Sequence, residues 1–354
     1  MATDFQIIQS KTINWLRFPL IVLVVYIHNY GSAYDYSPII NWTNISSIDI
    51  YEIIRILFSK VISHIAVPCF FYISGYLFFF NIHDFNKHVY FSKLKKRIYT
   101  LLIPYLLWNI FAIIIDFYNF SNEHCFSDNI IRTTNNLWYY FSNPLDYPLW
   151  YVRNLIILSI VSPLFFYIAN KWSKLFFLIL ILLLFIGGYK TNVNSVVFFG
   201  MGALFSIKKL NIITTFRRIK VPMYLVAFAT MCLCVYFNSK YTDIGKRIYP
   251  VFILSGVISI FNIASFFLEN NIFKERKILT SSVFFIYALH ILLPITWTDA
   301  YFDQAFVLCK GSSSLCIIIY LLRPLIKTAL CILLFLIIKK ITPQFVNVLS
   351  GNRN

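Results

Sequence analysis

The chain alternates long apolar runs with short polar connections, many of them basic. A helix needs about 20 mostly apolar residues to cross the hydrocarbon core of a bilayer. Ten stretches meet or approach that length and predict helices over 14–30, 61–80, 98–118, 148–170, 174–189, 193–207, 221–238, 248–268, 279–297 and 317–338. The fifth and sixth are short, with Gly187-Gly188 between them, and read either as a tight hairpin or as one broken segment. No 20–50-residue repeat and no phosphate-cradling glycine loop interrupts the pattern. The expected fold class is all-α: a polytopic integral membrane protein of about ten transmembrane helices, one domain over 1–354 with no appended soluble domain. The first apolar run has no small-residue cleavage site, so its helix is expected to be retained.

Composition points the same way. Hydrophobic residues make up 59% of the 354 and charged residues only 13%, against about 25% charged in soluble domains. That leaves too little polar surface to coat a water-soluble particle. The formal net charge of +17 would suggest nucleic acid in a soluble domain. Here the cations stand in clusters between apolar runs, so topology explains them and no nucleic-acid partner is expected. With the N-terminus inside, Lys93-Leu94-Lys95-Lys96-Arg97, Lys208-Lys209, Arg217-Arg218, Lys274 to Lys277 and Lys339-Lys340 all fall on cytoplasmic segments, as the positive-inside rule requires. Both termini are then cytoplasmic, in a multi-pass protein of a bacterial inner membrane. Five of the seven cysteines lie in apolar runs; Cys125 and Cys309 fall in outer loops, where a disulfide is conceivable. No C-x-x-C pair and no convincing metal-ligand spacing occurs, so no metal site is expected.

Ionisable side chains inside a membrane are costly and mark function by default. Arg17 and His28 are eleven residues apart in the first predicted helix, which at 100° per residue puts both on nearly one face, about 16 Å apart along the axis. A cation near the inner mouth suits an anionic donor, and a histidine beyond it suits a general base. The alternative is that Arg17 reaches to headgroups while His28 bonds a neighbouring helix. His290 in the ninth helix falls at a depth similar to His28, with Asn14, Asn29 and Tyr287 as polar candidates nearby. Arg153, in the segment that begins Trp150-Tyr151, stands on the outer side, where it either orients a sugar or a reacting carbonyl or reaches to headgroups. The basic run ending at Lys96-Arg97 either enforces topology or binds phosphates. His64, His83, His88 and His124 read as solvated.

Several of these segments together resemble acyltransferase family 3. Arg17, ten residues, then His28 is similar to its first-helix Arg-x10-His signature. Ala66 to Leu77 (AVPCFFYISGYL), Lys96-Arg97 through Ile103-Pro104-Tyr105, Pro148-Leu149-Trp150-Tyr151 and Ser282 to His290 resemble further segments of the family, in the same order. The resemblance implies an acyl-CoA donor, usually acetyl-CoA, arriving from the cytoplasm as a co-substrate rather than a bound cofactor. It implies an acceptor hydroxyl on a surface glycan or its lipid-linked precursor. It implies that Arg17 and His28 are essential and that Arg97 helps hold the donor. Two positions depart from the pattern: Thr100 stands where many relatives carry a second cation, and Asn154 where many carry an acid. The reading is therefore an O-acetyltransferase with His28 as base, Arg17, Lys96 and Arg97 toward the donor, and Trp150, Arg153, Tyr287 and His290 shaping the acceptor side. No nucleophilic Ser or Cys has a base at recognisable spacing, so direct transfer is expected. The alternatives are a transporter or flippase for lipid-linked sugars, a class that often shows internal repeats, and an accessory subunit of polysaccharide export.

Overall fold

The computed structural model describes residues 4–30, 40–82, 84–121, 126–188, 190–239, 243–309 and 312–352. The described residues form helices and connections with no strand. In chain order the helices are α1 (Asp4–Ile27), α2 (Ser47–Arg55), α3 (Ala66–Phe79), α4 (Lys87–Arg97), α5 (Ile103–Ser121), α6 (Phe126–Ser142), α7 (Trp150–Ile160), α8 (Ser162–Lys171), α9 (Ser173–Gly187), α10 (Thr191–Ile207), α11 (Ile212–Arg217), α12 (Lys220–Ser239), α13 (Asp243–Glu269), α14 (Lys277–Leu289), α15 (Trp297–Leu308), α16 (Ser313–Ile341) and α17 (Pro343–Leu349).

Among the described residues, six continuous segments are long and apolar enough to cross a bilayer: Phe5–Ile27, Ser47–Phe79, Lys87–Asn119, Lys220–Asn238, Arg247–Glu269 and Ser313–Ile341. A seventh is broken, α7 and α8 meeting at 59°, where Pro163 lacks the N–H that would continue the ladder. Three shorter apolar helices, α9, α10 and α14, complete the set. Each of the ten predicted stretches falls on one of these segments.

The ends differ from expectation, for local reasons. α1 stops at Ile27 rather than at 30. Ser59 Oγ donates to Tyr26 O, a carbonyl of the helix's last turn, at 2.6 Å, and Arg55 Nη1 holds the turn beyond through Tyr30 O at 3.2 Å. The second apolar segment is helical from Ser47, not 61, and passes through a π turn at Ile56–Val61 and a 3-10 turn at Ile62–Ile65. α14 ends at Leu289 rather than 297, followed by turns containing Pro294 and by the unpredicted α15. The connections read as outer loops also hold α2 and α6.

The packing is that of a protein solvated by lipid. α12 and α16 present Leu225, Phe228 and Leu333 outward, while buried amides are spent internally. Asn109 Nδ2 donates to Tyr140 O at 2.8 Å, and Asn262 Nδ2 to Phe216 O at 3.2 Å and Ile258 O at 3.0 Å. With no hydrophobic drive between helices in lipid, close packing of small residues takes over. At the crossing of α3 with α10, a Cβ on Gly75 would sit 2.0 Å from Phe199 O, and one on Gly202 2.0 Å from Tyr72 O. The chain end folds back beneath α5: Trp108 Nε1 donates to Leu349 O at 3.1 Å, and Gly351, at φ +68°, lies against the Thr100 carbonyl.

Candidate functional site

Two cavities stand one above the other between α1, α3, α7 and α14. The first, of about 360 Å³, is lined by Arg17 on α1 and by Lys93, Lys96 and Arg97 on α4, with Ser74, Thr280 and Ser281 among the polar groups. α4 starts at Asn86, whose Oδ1 accepts from Val89 N at 3.0 Å. Spacings of three and four residues then put Lys93, Lys96 and Arg97 on one face. The Phe78 ring supports Lys93 and Arg97, whose charged ends lie 6.0 and 5.3 Å from its centroid. Among the described residues no carboxylate lines this cavity, although Glu275 lies within Coulombic reach of Arg17. The four cations that line it give it a chemistry suited to an anion. Thr100 also lines it. Lys93, one turn before Arg97, stands on the same wall. The π turn at Ile98–Leu102 sits at this wall, a deviation frequent at functional sites.

The second cavity, of about 190 Å³, is lined by His28, His64, Tyr147, Trp150, Asn194 and Tyr287, among others. The rings of His28 and His290 lie 5.1 Å apart between centroids, tilted by 55°. His28 also meets Tyr147 edge-on at 6.2 Å, and His64 meets Tyr249 at 5.8 Å. His290 Nδ1 is 3.1 Å from Ile286 O and 2.9 Å from Tyr287 O. Both are acceptors, so this nitrogen carries the proton and the lone pair is on Nε2. That Nε2 is buried with no hydrogen-bond partner among the described residues, and so is His64 Nδ1. The Tyr287 hydroxyl donates to Pro148 O. Behind the histidines, Lys327 of α16 lies within Coulombic reach of His28 and His290. Its Nζ is 2.5 Å from Asp299 Oδ1, an oxygen that Arg323 also contacts at 2.8 Å.

Tyr151 on α7 belongs to both walls. Its hydroxyl and Ser74 Oγ are 3.1 Å apart. Its ring packs on Phe71 at 4.6 Å and on Tyr287 at 5.8 Å. The same hydroxyl lies within Coulombic reach of Arg17 and Arg97. One tyrosine therefore separates the cationic cavity from the histidine cavity.

The structure gathers Arg17, Lys96 and Arg97 in the first cavity, and His28, Trp150 and Tyr287 in the second, with His290 beside His28. His28 does not share a helix with Arg17 as the spacing predicted: it occupies the turn after Ile27, in a different cavity. Arg153 lines neither cavity; its Nη1 donates to Ser142 O at 2.6 Å and braces the end of α6. Asn154, at the position noted as departing from the family pattern, donates to Asn192 at 3.0 Å and Ser195 at 3.3 Å and accepts from Arg153 Nη2 at 3.5 Å. His64, read as solvated, is a site residue, because its segment begins at Ser47 and so places it mid-span. Lys327 is missing from the residues singled out by sequence, although its central place in the tenth predicted stretch is a signal the sequence offers. Tyr151 entered the sequence reading only as part of the Pro148-Leu149-Trp150-Tyr151 segment, with no role assigned to it. His88 is exposed; His83, His124 and Cys125 lie outside the described residues, and Cys309 is a free thiol rather than half of a disulfide. No group of metal-ligating side chains occurs among the described residues.

A family profile described as an acyltransferase domain matches residues 10–339. The chain is similar to the succinoglycan biosynthesis protein ExoH of Rhizobium meliloti, at 21% identity over 364 aligned positions that cover 97% of this chain and 92% of the relative. No solved structure matches it. With nearly all of the helical body matched, the chain belongs to acyltransferase family 3 and is a multi-pass membrane acyltransferase.

Proposed function

We propose that this protein is an O-acyltransferase of a bacterial inner membrane, with both termini cytoplasmic. It moves an acetyl group from acetyl-CoA to a hydroxyl of a surface polysaccharide or its lipid-linked precursor. The observation that supports this reading is the pair of cavities meeting at Tyr151. Arg17, Lys93, Lys96 and Arg97 suit the phosphates of a nucleotide-bearing donor at the basic end. The cavity beyond offers His28 as base, and Tyr147 and Trp150 as aromatic walls for a sugar. That the similar protein from Rhizobium meliloti is named for succinoglycan biosynthesis supports a polysaccharide acceptor.

In this mechanism the thioester reaches past Tyr151 into the histidine cavity. His28 takes the proton of the acceptor hydroxyl as its oxygen attacks the thioester carbonyl. His290 Nε2, with its unclaimed lone pair, orients the His28 ring. The C–S bond then breaks, and the thiolate of CoA leaves with the proton returned from His28. Lys327 holds positive charge near the oxyanion of the tetrahedral intermediate, where electrostatic stabilisation counts most.

The test is transfer of labelled acetyl from acetyl-CoA in membranes holding equal amounts of wild type or His28→Ala. Label entering the glycan or glycolipid fraction with wild type alone is the expected result. Equal labelling by both proteins would show that His28 is not the base. No labelling by wild type with native glycan present would show that acetyl-CoA is not the donor.

A further inference from the structure

A third cavity, of about 310 Å³, adjoins the cationic one and has no part in the mechanism above. Leu77 of α3 lines both. On α1, Asn14 faces this cavity and Arg17, one turn on, faces the cationic one. The volume is at the lower bound of small-molecule sites.

Its polar groups divide into spent and unspent. Gln9 is fixed into the wall, donating to the Tyr76 hydroxyl at 2.7 Å and accepting from Ile212 N at 2.6 Å. Asn211 caps α11, accepting from Thr214 N at 2.9 Å, and donates to Phe5 O at 3.1 Å. Against these, Ser206 Oγ is buried with no partner among the described residues. The Asn14 and Asn81 amides also line the cavity without a hydrogen bond to any described residue. The Tyr76 and Phe80 rings, 5.7 Å apart and inclined by 36°, form an aromatic side, with Phe80 exposed.

Unspent amides beside an aromatic surface suit a flat heteroaromatic ring with donors and acceptors on its edge. An Asn amide pairs in bidentate fashion with the N6/N7 edge of adenine, and stacking on an aromatic side chain strengthens binding by about 10-fold or more. We propose that this cavity holds the adenine of the acyl-CoA donor, an inference that rests on the acyl-CoA reading above. The phosphates lie against the four cations, the thioester points to Tyr151, and the adenosine crosses Leu77 into the amide cavity.

The two halves of the donor can be tested separately with acetyl-CoA and acetyl-4′-phosphopantetheine, which keeps the thioester and one phosphate but lacks the adenosine. Wild type should show a KM about 10- to 100-fold lower for acetyl-CoA. Asn14→Leu and Phe80→Ala should each raise KM for acetyl-CoA about 10-fold, leaving its kcat and the truncated donor unchanged. Phe80→Ala, at an exposed ring, carries the test if Asn14→Leu does not accumulate. A wild type indifferent to the adenosine overturns the purine site and leaves the acyltransferase reading intact. So do variants of wild-type melting temperature that weaken both donors equally. A wild type that transfers from neither donor overturns the acyl-CoA reading and the purine site with it.

Discussion

Replacing Gly75 by Ala sets two effects of opposite sign against each other. In a helix interior Ala is intrinsically better than Gly by about 1 kcal/mol, so propensity alone predicts a stabilised protein. The crossing of α3 with α10 predicts the reverse. The new Cβ would start 2.0 Å from Phe199 O, where ordinary contact begins at 3.4 Å, and the blocking atom is backbone that no rotamer change can move. The helices must part by about 1.4 Å, and overpacking of this kind costs about 1–3 kcal/mol. The displacement also reaches the site. Ser74, the preceding residue, is 3.1 Å from the Tyr151 hydroxyl, and a shift of that size breaks the contact. Misplacement by about 1 Å can cost about 100-fold in rate. The assay is thermal melting in detergent alongside acetyl transfer, with Gly245→Ala as control. There the nearest atom, Phe237 Cβ, is at 3.3 Å and need yield only slightly. Gly75→Ala should melt lower than wild type and lose most of its activity, while Gly245→Ala should do neither. A Gly75→Ala protein as stable and as active as wild type would refute the close-crossing argument.

Three further expectations follow from the site. Tyr151→Phe, losing the hydroxyl that meets Ser74, should slow transfer about 10-fold, and Tyr151→Ala should admit longer acyl chains and release free carboxylate by hydrolysis; a chain-length profile and a hydrolysis assay check this, and an unaltered profile in the Ala variant would remove Tyr151 from the partition. Lys327→Met should cost little stability, because Asp299 keeps Arg323 at 2.8 Å, yet should depress kcat; Asp299→Ala strands Lys327 and should cost about 3 kcal/mol, the lower end for orphaning a buried charge because Asp299 is 28% exposed. Equal melting of these two variants would sink the asymmetry. Asp146, in the connection before α7, is buried with neither carboxylate oxygen hydrogen-bonded among the described residues, and burial pushes its pKa well above the usual carboxylate range. The folded state therefore holds this proton more tightly than the unfolded chain. Its stabilising effect is complete below the unfolded pKa and is lost as pH rises toward the folded one. Asp146→Asn should flatten the fall of melting temperature with rising pH, and an unchanged slope would show that Asp146 is not the group responsible.

Much of the fold was legible because lipid imposes a simple rule, that a spanning segment must be apolar and helical. Each predicted stretch accordingly coincides with an apolar helical segment. The ends were not legible, since side chains from distant positions set them. Ser59 takes a last-turn carbonyl of α1 and Arg55 one in the turn beyond it, and the length of the segment from Ser47 rests on π and 3-10 turns that hydrophobicity does not mark. The same limit governs the site. Arg17 drew notice as a cation in apolar surroundings and Arg97 as the end of a basic run, and the depths of His28 and His290 could be matched along two helices. His64 was lost with the start of its segment. Tyr151 stood out only as part of the Pro148-Leu149-Trp150-Tyr151 segment; its place between two cavities exists only once α1, α3, α7 and α14 are assembled.

The fold-back of the chain end bears on how this protein can be handled. Leu349 is tied to Trp108, Gly351 is pressed against the Thr100 carbonyl, and Asn352 itself lines the cationic cavity. Bulk added at Asn352, such as a fluorophore on a substituted cysteine, would press on that wall. A label is better carried at Lys171, exposed at the end of α8 and lining neither cavity of the site.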